Sequence, residues 1–189
     1  MGGPVARAVV VRKIGSAISE LPPTGAGKEA GVDGDTTIDG MADDERQAVI
    51  ALWARCGLTR PWNDPSADID LALATEAATV LVARVGGRLV GAVMTGHDGH
   101  RGAIYYLGVD PDCRRGGVGR ALVRAAEDWC RSRGAPKVNL LVRNENQAVL
   151  AFYAALGYRP TDCVSLYHML DPARAEREQA EKADWAART

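Results

Sequence analysis

Apolar residues recur three and four positions apart through Val118, Leu122, Ala125, Ala126 and Trp129, which predicts an amphipathic helix with one buried stripe. Shorter apolar runs mark strands. Residues 79–85 and 88–95 flank Gly86-Gly87, a two-residue hairpin turn, and 104–109 is a third strand rich in aromatic and apolar side chains. Residues 138–142 read as a buried strand leading into a helix that Asn144 can cap and Gly157 can end in the left-handed conformation. On that helix Asn146, Leu150 and Tyr153 share one face, while Val149, Phe152 and Leu156 form the neighbouring apolar stripe. Upstream the pattern gives a weak strand near Thr37, a helix over 43–55 and a second helical piece over 67–74. Downstream, 163–170 reads as a last strand. Asp39-Gly40 weakens the first strand, and residues 5–11 are an alternative for it. This order of elements predicts an α/β fold with a mixed sheet and no internal repeat.

Composition narrows the picture. A chain of 189 residues that is 47% hydrophobic can bury the core of one domain and needs no second. Pro22, Pro23, Gly25, Gly27, Gly31 and Gly34 break any periodicity, so 1–35 reads as a flexible extension, 36–170 as the domain, and 171–189 as a charged tail or short solvated helix. The apolar run inside 7–13 is too short for a signal sequence or membrane span, and Ala6 rules out a myristoylation site. A formal net charge of -1 argues against a nucleic-acid partner. Cys56, Cys113, Cys130 and Cys163 form no C-x-x-C pair, so the expectation is no disulfide framework, no metal site and a cytoplasmic home.

The candidate chemistry begins where the 104–109 strand runs through Arg114-Arg115-Gly116-Gly117-Val118-Gly119-Arg120 into the amphipathic helix. Glycines at a strand-to-helix turn leave backbone N–H groups open to an anion at the positive end of the helix dipole, and three arginines add charge. A dinucleotide fingerprint fails because Leu122 stands where its third glycine belongs. A nucleoside-triphosphate loop fails because Gly-Lys-Ser/Thr is missing.

The pattern Arg-x-x-Gly-x-Gly over 114–119, followed by the 144–158 helix with Asn146 and Tyr153, resembles the GNAT superfamily of N-acetyltransferases. The runs 52–65, 96–102 and 105–109 are similar to the bacterial YpeA-type acetyltransferases. The resemblance implies a single domain with a mostly antiparallel sheet, helices on both faces, and two central parallel strands splayed around acyl-CoA. It implies acetyl-CoA as cofactor, with CoA as product. Arg114, Arg115, Gly116, Gly117, Val118, Gly119 and Arg120 would hold its pyrophosphate, backbone groups of Leu107 and Val109 would pair with the pantetheine arm, and Asn146 would touch that arm. Tyr153 would be the catalytic acid that protonates the leaving thiolate. Trp62, Asn63, Asp64, Asp98, Tyr105 and Tyr106 would border the amine acceptor, although Pro61 to Pro65 also reads as a rigid turn with an Asx bond. Tyr105, Tyr106, Asp98 or a water remain open as base. Arg115 departs from the family, which commonly has glycine there. The implied reaction is acetyl transfer to a primary amine by direct attack, in a monomer or homodimer without membrane or nucleic acid. A non-catalytic acyl-CoA sensor and a protein-interaction domain are the alternatives.

Overall fold

Two strands carry the architecture, because they are buried through most of their length and so must be covered on both faces. These are β2 (Ala78–Val85) and β3 (Arg88–His97), joined by Gly86-Gly87 with φ of 55° and 77°, a turn whose two positive φ values match the twist of the strands it joins. A computed structural model describes residues 36–188. The expected 1–35 extension and the alternative strand over 5–11 lie outside the described residues.

β1 (Thr36–Gly40) pairs antiparallel with β2, so the first strand forms near Thr37 despite Asp39-Gly40. β4 (Gly102–Val109) runs antiparallel to β3, and β5 (Val138–Asn139) runs parallel to β4, giving a five-stranded sheet in the order β1-β2-β3-β4-β5. Helices α1 (Arg46–Arg55) and α2 (Pro65–Leu73) cover one face, where Val49, Leu52, Trp53 and Ile69 meet Val80, Val82, Ala92 and Met94. On the other face α3 (Val118–Ser132) packs Val118, Leu122, Val123 and Ala126 against Val90, Val93 and Ile104. Tyr153, from α4 (Gln147–Ala154), joins that second core.

The 3.6-residue stripe of α3 and the α/β class agree with the sequence. Three details differ. β5 stops after two residues where five were expected, and the parallel pair sits at the edge of the described sheet instead of its centre. The reason lies downstream, because 163–170 forms no strand, and Val164, Leu166, Tyr167 and Leu170 stay exposed. Its β-branched and aromatic residues suit a strand, but a strand needs a partner edge. The chain leads instead into α5 (Pro172–Arg188). Lastly, the cap of α4 is Asn146, whose side chain accepts from Val149 N at 3.3 Å, and not Asn144.

Where β5 meets β4, side-chain volume is fixed by close approach. A Cβ on Gly102 would lie 2.6 Å from Cys130 Sγ and 2.9 Å from Cys130 Cβ. Gly102→Ala is expected to destabilise the domain by about 1–3 kcal/mol through overpacking, read as a lower midpoint in thermal unfolding. An unchanged midpoint would show that this contact is not tight.

Candidate active site

β4 ends in a pinned exit. Asp110 is 6% exposed, accepts from Asp112 N at 3.2 Å, and pairs with Arg55 at 3.2 Å and Arg88 at 3.7 Å. Arg114 then donates from Nε to the Val109 carbonyl at 3.3 Å, a carbonyl that also accepts from Cys56 Sγ at 3.3 Å. Arg115 has φ of 67° and Gly117 has φ of 85°. The left-handed region suits glycine at 117, whereas at Arg115 it stores strain of order 1–3 kcal/mol.

Gly117 is the N-cap of α3 and offers no side chain to the helix end. The first N–H groups of any helix lack intrahelical partners, so those of Val118, Gly119 and Arg120 face outward at the positive pole of a helix of 15 residues. Arg114, Arg115 and Arg120 are exposed around them. The seven consecutive residues 114–120 thus surround an uncapped helix start, an arrangement that can accept an anion.

Further back along β4 the ladder slips. Ala92 faces Gly108 and Met94 faces Tyr105, so Tyr106 and Leu107 together oppose Val93, and Tyr106 has φ of 51°. This bulge breaks the alternation of sides. Leu107 and Val109 turn to the α3 core, while the adjacent Tyr105 and Tyr106 both line an open cleft of about 360 Å3 with Leu58, Asn63 and Asp68. Asp110 N donates to Val90 O, and ladder alternation therefore turns the backbone of Val109 away from β3, to the side where β5 has already ended.

The two tyrosines differ chemically. Tyr106 stacks on Trp53 with ring centroids 4.5 Å apart and donates its hydroxyl to Asp68 Oδ2 at 2.7 Å. Burial, and then that acceptor, push the Tyr106 phenol well above its ordinary value, so it keeps its proton. Tyr105 is 53% exposed.

On the opposite side of the β4 exit, α4 places Phe152 within 3.6 Å of where a Cβ on Gly119 would stand, so this helix packs beside the cradle. Tyr153 is 7% exposed, with its ring between those of Phe152 and Tyr158 at centroid distances of 5.1 and 5.2 Å. Burial alone pushes its phenol up to about 12. Tyr158 donates its hydroxyl to Glu127 at 2.8 Å. The Tyr153 hydroxyl makes no such hydrogen bond among the described residues. Such a phenol stays protonated at neutral pH, and its hydroxyl is free to donate to a group brought beside it.

The remaining residues read from the sequence divide. Asn63 lines the inner cleft together with Tyr106. Asp64 caps α2, accepting from Ser66 N at 2.9 Å and Ala67 N at 3.1 Å, so the Asx turn is real, and Trp62 borders a second cleft beside α5. Asp98 is elsewhere. It closes the β3–β4 hairpin by accepting from His100 N at 2.8 Å and Arg101 N at 2.6 Å, and the N–H groups of Arg101 and then His100 hold its carboxyl below the usual range. That turn lies at the far end of β4 from Val109, roughly 20 Å away at strand rise. Leu58, Asp68 and the α5 side chains in the clefts were not read from the sequence, because only folding brings them there. Among the described residues no cluster of His, Cys, Asp and Glu could hold a metal ion, and no helix is long and apolar enough to cross a membrane.

Comparison with known proteins gives a consistent result. Residues 43–158 match the Acetyltransferase (GNAT) family. The chain is 50% identical over 123 residues to an acetyltransferase of Pectobacterium atrosepticum, a match covering 65% of this chain and 87% of that one, and equally to one of Sodalis glossinidius. Among solved structures it is similar to AAC(6')-Iy in complex with the bisubstrate analog CoA-S-monomethyl-acetylneamine, with TM-score 0.63 and 20% identity over 73% of this chain and all of that one. It is also similar to glucosamine-6-phosphate N-acetyltransferase from Arabidopsis thaliana, with TM-score 0.57 and 19% identity over 73% of this chain and 100% of the other. At these identities the structural likeness speaks for the fold alone.

Proposed function

Because the chain belongs to the GNAT family of acetyltransferases, we propose that it transfers an acetyl group from acetyl-CoA to a primary amine by direct attack in a ternary complex. The observation that carries this reading is the convergence, around the exit of β4, of an uncapped helix end ringed by arginines and a buried, uncommitted tyrosine. The runs 52–65, 96–102 and 105–109 support a place within the family near the YpeA-type enzymes. A non-catalytic sensor has no use for a phenol kept free and protonated.

The residues fit the cofactor. N–H groups of Val118, Gly119 and Arg120 bind the pyrophosphate, Gly116 and Gly117 leave room for it, and Arg114, Arg115 and Arg120 neutralise it. The backbone of Val109 pairs with the pantetheine arm in the gap beyond β5, and Asn146, whose amide nitrogen is not used in capping α4, reaches that arm. An N–H at Leu107, beside the bulge, stabilises the negative charge that grows on the acetyl oxygen. Tyr153 gives its proton to the sulfur as the carbon–sulfur bond breaks and the carbon–nitrogen bond forms, and it is reprotonated from solvent. Tyr106 keeps its proton and Asp98 stands too far away, which leaves Tyr105 or solvent in the cleft to take the proton of the amine. Trp62 and Asn63 border the acceptor. The four cysteines, unpaired in the structure, suit a reducing cytoplasm.

The direct test is calorimetric titration of the full chain with acetyl-CoA, followed by thiol detection of CoA release over a panel of amines. Saturable binding, with release only when an amine is present, is the expected outcome. No binding at about 1 mM acetyl-CoA, where some 4 kcal/mol of affinity suffices, would end the proposal.

A further inference from the structure

Helix α5 gives no buried residue to either core, so packing alone does not account for its position. It is nevertheless anchored beside the acceptor cleft at both ends. Arg174, in its first turn, lines the outer cleft with Asp68. Trp185, near its end, meets the Trp62 ring edge-on at 6.2 Å, with the Arg60 guanidinium 5.6 Å from the Trp185 ring centroid. Between these anchors α5 and the loop leading into α2 enclose about 350 Å3. Asp68 lines this space and the inner Tyr105–Tyr106 cleft alike, so the two are neighbours.

An ammonium group already stands against two residues of this lining, Trp62 and Glu178. Lys182 Nζ lies 5.6 Å from the Trp62 ring centroid and 2.5 Å from Glu178 Oε1. An aromatic face and a carboxylate converging on one cation is an arrangement that recognises organic ammonium ions. Glu178 and Lys182 are four apart on one helix, and such pairs are ordinarily solvated on both sides. Here the Glu178 side chain is only 18% exposed. Around it, the carboxylates of Asp64, Asp68 and Glu181 outnumber the guanidinium groups of Arg174 and Arg177.

We propose that Trp62 and Glu178 form a second ammonium subsite of the acceptor cleft, that Lys182 occupies it when no acceptor is bound, and that the acceptor is a linear diamine or polyamine. Its distal ammonium displaces Lys182 while its other nitrogen, neutral, is presented at Tyr105. This inference rests on the acetyl-transfer reading above.

The probe is spermidine, titrated calorimetrically into the full chain and assayed with acetyl-CoA against n-hexylamine, which has a single amine. Glu178→Gln is expected to weaken spermidine binding about five-fold, and Lys182→Ala to strengthen it about three-fold by removing the internal competitor. The KM for hexylamine should stay put in both variants. Neither change touches a core residue, so both proteins should fold. Spermidine affinity unmoved by either substitution, or both amines altered alike, would overturn the subsite. Release of CoA with other amines while spermidine neither binds nor reacts would overturn it too, and leave acetyl transfer standing. Glu178-dependent spermidine binding without CoA release from any amine would support the subsite and sink acetyl transfer.

Discussion

Gly117→Glu is expected to abolish acetyl-CoA binding, with affinity falling by more than about 100-fold, or roughly 2.7 kcal/mol, while the protein stays folded. The substitution sets a carboxylate at the cap of α3, where outward N–H groups and three arginines otherwise await a phosphate. Like charges in contact repel, and the carboxylate also satisfies the N–H groups the phosphate would use. Two effects on stability oppose each other. A side chain at φ of 85° is strained, but an acid at a helix start stabilises it by about 0.3–1 kcal/mol. A Cβ at Gly117 is therefore felt in the melting temperature far less than in the titration. Calorimetry beside a thermal melt checks both, and unchanged affinity would remove the loop from the cofactor site.

Tyr153→Phe should reduce turnover by about 10²-fold or more, the usual contribution of one general acid, with acetyl-CoA affinity unchanged. The ring is held between Phe152 and Tyr158, and phenylalanine keeps that packing. No protein hydrogen-bond partner of the hydroxyl is orphaned among the described residues, so the melting temperature should barely move. The pH profile is a second readout. Burial pushes the Tyr153 phenol up to about 12, so the wild-type rate should climb as the acceptor amine loses its proton, with no falling limb from Tyr153 short of that pH. The linkage has a definite sign. The folded state holds this proton more tightly than the unfolded chain, whose phenol titrates near 10.0. The stability tied to Tyr153 is therefore fully present below pH 10 and is lost as pH rises toward 12. A rate unchanged in the variant would take Tyr153 out of the chemistry.

Features that depend only on neighbours along the chain can be read before folding. The stripe Val118, Leu122, Ala126 has the helical period wherever α3 is placed, Gly86-Gly87 turns a hairpin by its own φ freedom, and the glycines and arginines of 114–120 are adjacent before any folding occurs. The α/β class was legible for that reason, as were the glycine–arginine turn into α3 and the place of Tyr153 on α4. The tertiary structure decided whatever required a partner from a distant segment. The bulge at Tyr106 slips the register against Val93 and puts consecutive tyrosines on one side, which strict alternation forbids. Of two asparagines two residues apart, Asn146 became the cap because α4 begins directly after it. Asp98 resembled a site residue by its surroundings in sequence, yet its carboxylate closes a hairpin at the other end of β4. The apolar alternation of 163–170 found no edge to pair with, and the charged segment after it became the wall that brings Glu178 and Lys182 to Trp62. Periodicity fixes which face of an element is apolar, whereas register and docking depend on the free energy of contacts between segments far apart in the chain, and that information is present only once the chain has folded.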